Sequence, residues 1–117
     1  MEIDEIARLT AADLAVEFGP SIIDQTELAI RGELPETEIT RDWSVALEAI
    51  HTAGDITHTI HFMMIITPIA IAECKKVKDM KVVRAALEVI AKEKSMVKPE
   101  IATKVIDIIL RKINRKP

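Results

Sequence analysis

The chain has 117 residues, 49% of them hydrophobic and 30% charged, with three Gly, two Phe, one Trp and no Tyr. That is enough apolar material for one domain whose core needs no disulfide or metal, and too much for a disordered chain. The net charge of −3 hides a division: residues 1–60 hold thirteen acidic and three basic side chains, and residues 61–117 hold six acidic and thirteen basic ones.

Abundant Ala, Ile, Leu, Lys and Glu favour helices packed through aliphatic side chains over a sheet sandwich. Ile3, Ile6, Leu9, Leu14 and Phe18 recur at roughly helical spacing, so a first helix is predicted over 2–18. Gly19-Pro20 stops it. Ser21 with Asp24 then reads as the cap of a second helix running to Arg31 and ended by Gly32. "GELPET" is a loop, and Thr37 or Thr40 can cap a long third helix reaching about residue 75. Trp43, Leu47, Ile50, Gly54, Thr57, His61 and Met64 form one stripe along it, and Pro68 is expected to kink or divide it. A fourth helix over roughly 79–94 carries Met80, Val83, Leu87 and Ile90. After a break at Ser95–Lys98, Pro99 opens a last helix with Ile101, Val105, Ile108, Ile109 and Ile113. The expected fold is all-α, a single-domain bundle of about five helices spanning 1–117 around a long central helix.

The stretch "ALEAIHTAGDITHTIHF" holds all three histidines. Residues three, four or seven apart share a helix face, so Glu48, His51, Asp55 and His58 line up as E-x-x-H followed by D-x-x-H. Ligands one turn apart can converge on a divalent metal such as zinc or iron, but two pairs this far apart need a second helix or subunit to complete each site. Asp55 would then orient one ring from behind. The plainer reading is a polar helix face on which His51 and His58 pair with the carboxylates. His61, nearer the apolar stripe, reads as a hydrogen-bonded core histidine. The six residues "IHTAGD" resemble the Ile-His-Thr-Thr-Gly-Asp element of precorrin-8X methylmutases, which would make His51 a proton donor. This chain lacks the strand-rich second half of that family.

Ile56 to Ala72 is a run of 17 residues without a formal charge, at the lower limit for a membrane span. Two histidines, three threonines and a proline inside it favour a helix enclosed by others. Near the other end of the chain, "LTAADLAVEFGPS" and "RGELP" resemble the opening helices of phage-repressor-type helix-turn-helix proteins. The helix that would read DNA, "SIIDQTELAI", departs from that pattern with Asp24, Glu27 and no base before Arg31.

A better nucleic-acid or partner contact is the basic half. Lys75, Lys76, Lys78, Lys81 and Arg84 form one candidate edge, and Arg111, Lys112, Arg115 and Lys116 another. No aromatic residue lies among them to stack on bases. Cys74 stands alone, which rules out an intrachain disulfide and fits a reducing cytoplasm. It reads as a packed small hydrophobe, although Lys75 and Lys76 could lower its pKa and make it reactive.

No Gly-rich phosphate loop, paired Cys motif or nucleophile–base arrangement is present in the sequence. The leading expectation is a small cytoplasmic interaction or adaptor protein that self-associates or joins a larger complex. Trp43, Ile50, Met63, Met64, Ile66 and Ile69 would supply its core or interface. A helical metal-binding protein or metalloenzyme, and a nucleic-acid accessory protein, are the alternatives.

Overall fold

The computed structural model describes residues 2–33 and 55–114. Among them are five α-helices and no strand: α1 (Glu2–Phe18), α2 (Ser21–Ile30), α3 (Asp55–Lys76), α4 (Met80–Lys94) and α5 (Pro99–Asn114). The architecture is the all-α bundle expected. α3 is its centre and touches each of the other four helices. α1 also packs on α2 and α5, whereas α4 packs mainly against α3 and α5 among the described residues.

Local chemistry explains the helix ends. Glu2, Asp4 and Glu5 sit in the first turn of α1, where carboxylates favour the positive end of the helix dipole. Gly19 adopts φ +94°, which permits the sharp exit before α2. The expected Ser21 cap is not formed. Pro20 takes the N-cap position at φ −65° with no side-chain capping bond, because Gly19-Pro20 already turns the chain into helical geometry one residue earlier. α2 closes in a Schellman arrangement: the N–H of Glu33 donates to Leu28 O at 2.7 Å and that of Gly32 to Ala29 O at 3.0 Å. Asp79 caps α4 by accepting from the Lys81 N–H at 3.0 Å. Ser95 ends it in the left-handed region, φ 51°.

Pro68 does not divide the central helix. A mid-helix proline costs about 3 kcal/mol, but packing on both sides of it opposes a break. Phe62, Met63, Ile66 and Ala70 are fully buried, each large aliphatic or aromatic side chain contributing about 1.5–3 kcal/mol. The Thr67 hydroxyl next to the proline donates to Met63 O at 2.6 Å. The buried side of α3 differs from the expected stripe. Thr57, His61 and Met64 are half-buried, while Thr59, Ile60, Met63, Ile66, Thr67 and Ala70 face inward. Met64 and Ile69 pack against the core from its edge. Trp43, Leu47, Ile50 and Gly54 lie outside the described residues.

α1 shows a similar rotation. Its buried residues are Ile6, Ala7, Thr10, Ala11 and Leu14, and both Ile3 and Leu9 are more than one-third exposed. A strict three-residue spacing (3, 6, 9) drifts around a helix of 3.6 residues per turn, whereas 7, 11, 14 and 18 hold one face. Ala7 and Ala11 have no long side chain to keep neighbouring helices apart, so α1 can lie close to them.

The uncharged run therefore belongs to a helix whose inward face is enclosed by four others. By length and composition Ile56–Lys76 could cross a membrane, with mean hydropathy 1.3. Its apolar character follows equally from its central place in the bundle.

Candidate functional site

Part of the charge division of the sequence is met within the chain. Acidic α1 is tied to basic α5 by Lys104 to Glu17 at 2.6 Å and Lys112 to Asp13 at 2.9 Å. Lys75, at the end of α3, lies 4.0 Å from Glu2. Arg84 on α4 pairs with Asp107 on α5. Arg8 grips Glu27 in a two-point fork, Nε to Oε2 at 2.6 Å and Nη2 to Oε1 at 3.2 Å, joining α1 to α2. This fork holds the Glu27 carboxyl below its ordinary range and raises the Arg8 guanidinium, in each case first through the hydrogen bond.

These pairs change the reading of both basic edges. Lys75, Arg84 and Lys112 each have a partner within the chain, and the Lys112 side chain is only 12% exposed. Lys76, Lys78, Lys81 and Arg111 are exposed, and no ion pair holds them among the described residues. Arg115 and Lys116 lie outside those residues.

The expected metal stripe is only partly within view. Glu48 and His51 lie outside the described residues, and the backbone of Asp55 opens α3. His58 is half-buried, and His61, one turn on, also lies on the least buried side of the helix. The His61 Nε2 atom is buried with no hydrogen-bond partner among the described residues. Among the described residues no three His, Cys, Asp or Glu side chains gather closely enough to hold a metal ion.

Cys74 is not activated by the lysines that follow it. Burial first, then the Glu73 carboxylate, push its thiol above the ordinary value of 9.0. Lys75 reaches towards Glu2 instead.

The feature that the rest of the bundle does not use is the outer face of α4. Its inward side is anchored by Val83, Leu87 and Ala91, four residues apart. That spacing turns Val82, Ala85 and Val89 outward. Val82 is 51% exposed and Val89 58%. Lys81, Glu88 and Lys92 flank this strip and are exposed. A cleft of about 530 Å³ opens beside it, where α4 turns into α5, lined by Glu88, Ala91, Lys92, Ser95, Val97 and Pro99 among others. Among the described residues its ionisable lining groups are Glu88 and Lys92, which form no nucleophile–base pair. A second outward strip lies on α1, where Leu9 is 40% exposed and Val16 92%. Sequence periodicity alone missed both strips, because it registers an apolar residue without saying which side its neighbours cover.

No family model, curated protein or solved structure matches this chain.

Proposed function

We propose that this chain is a small cytoplasmic helical interaction protein that works by self-association or as a subunit of a larger assembly. The observation that supports it best is the apolar strip of α4, where two valines more than half exposed are spaced two turns apart on one helix face. Exposed apolar residues scattered singly are ordinary on a protein surface; a seam at seven-residue spacing is how helices meet partner helices. Sedimentation velocity across a range of concentrations tests the reading. A concentration-dependent species of twice the 13.0 kDa chain mass is expected; a monomer at every concentration, in low and high salt, removes self-association.

The second reading is a metal site using Glu48, His51, Asp55 and His58. What favours it is that His58 lies on the less buried side of α3, where a ligand from a second helix or subunit could reach it. Elemental analysis of untagged protein and the change in Tm on adding zinc or iron(II) test it. No bound metal and an unchanged Tm would dismiss it. A nucleic-acid role has less support, since Lys75, Arg84 and Lys112 are engaged within the chain.

A further inference from the structure

We propose that the outer face of α4 is a self-complementary contact whose occupant is a second copy of this chain, the two helices packing antiparallel about a twofold axis near Ala85. This deepens the self-association reading and rests on it. Val82 and Val89 are separated by two helical turns, about 10.5 Å of rise, with Ala85 nearly midway. Reversal about Ala85 sets Val82 of one copy over Val89 of the other, twice. Ala85 at the crossing has no side chain to hold the helices apart, so they can approach to the usual 8–10 Å.

Charge selects this partner and this direction. Lys81 and Glu88 are also seven residues apart, on one edge of the same face, and straddle Ala85. In an antiparallel pair they exchange, giving two Lys81–Glu88 pairs across the twofold. Parallel packing would set this charged edge against the valine edge of the partner and leave Lys81 and Glu88 without each other. Among the described residues neither Lys81 nor Glu88 forms an ion pair within the chain, whereas Arg84, next to them on the same side of the helix, is held by Asp107.

The α1 strip lacks this property. Arg8, Asp13 and Glu17, which flank it, are committed to Glu27, Lys112 and Lys104. A twofold contact also closes on itself and stops at the dimer, whereas α1 docking on α4 would propagate from copy to copy.

Charge reversal in the full-length chain tests the proposal. Lys81→Glu and Glu88→Lys are each expected to weaken the dimer about tenfold, through two like-charge contacts apiece. Mixed together, the two variants should recover wild-type affinity as a heterodimer, because each supplies the charge the other lacks. The double variant K81E/E88K should recover it as a homodimer. Both side chains are exposed, and the circular dichroism of each variant should match wild type. A mixture no tighter than either variant alone overturns the antiparallel contact. In a Cys74→Ser background, mild oxidation of Ala85→Cys should cross-link the dimer far faster than Val16→Cys; equal or reversed rates also overturn it. A wild-type chain that never dimerises defeats the broader reading too. A dimer indifferent to the charge changes and to Val82→Glu with Val89→Glu defeats only the α4 assignment.

Discussion

Gly32 and Ser95 both hold positive φ at helix ends, with different consequences. Gly32, at φ +74°, has nothing within 4 Å of the position a Cβ would take, so Gly32→Ala meets backbone strain alone. Thermal or urea unfolding should show a loss of about 1 kcal/mol. Ser95 carries a side chain in the same region at φ 51°. Removing that strain in Ser95→Gly should raise stability by about 0.5–1 kcal/mol, slightly reduced by loss of the hydroxyl's bond to Lys92 O at 2.9 Å. Cys74 should behave as a structural thiol. With its pKa raised by burial and Glu73, its alkylation at pH 8 should run about tenfold slower than that of free cysteine; an equal rate would contradict the burial argument.

Helix pairs are joined by both apolar packing and charge, and the two respond differently to conditions. The Arg8–Glu27 fork joins α1 to α2. Because Glu27 is held below its ordinary value of 4.5, the fork's contribution is fully present above that pH and disappears as pH falls through the depressed value. The stability difference between wild type and Glu27→Gln should therefore shrink to nothing in strong acid. It should also be small throughout, since the pair faces solvent. Lys112 with Asp13 is more sheltered, and a double-mutant cycle on it should give a coupling of about 1 kcal/mol. Within α3, Pro68→Ala should stabilise the chain by about 1 kcal/mol or more, since it restores an N–H for the Met64 carbonyl inside a helix that already runs through this point.

At the scale of the whole molecule, one central helix carries the core, and damage to it should be global. Ile66→Ala or Phe62→Ala, at fully buried sites, should each cost about 3–5 kcal/mol, a large share of the roughly 5–15 kcal/mol typical of a domain. Val82→Ala and Val89→Ala, on the outer face of α4, should barely change the stability of the monomer while weakening the dimer. That contrast separates core from contact surface. The ion pairs between α1 and α5 bear on association as well. They hold Glu17 and Asp13 within the chain, and added salt should weaken the dimer chiefly by screening the exposed Lys81–Glu88 pairs.

Helix positions and most of their ends are legible in the sequence because their causes are local. Gly19-Pro20, Gly32 and Pro99 stop or start a helix through the backbone freedom of one residue. The sides the helices bury are legible only in part. Leu9 is turned outward and Ala11 inward, and α3 buries Ile60 and Met63 rather than the Thr57–His61–Met64 stripe. Periodicity gives a face but cannot say which neighbouring helix covers it, and burial depends on that neighbour. The same limit hid the outer face of α4, since Val82 and Val89 differ from Val83 and Leu87 only in what lies across from them. Backbone chemistry within a few residues determined where each helix lies. Contacts between residues far apart in the chain decided which charges are paired and which apolar side chains remain open to a partner.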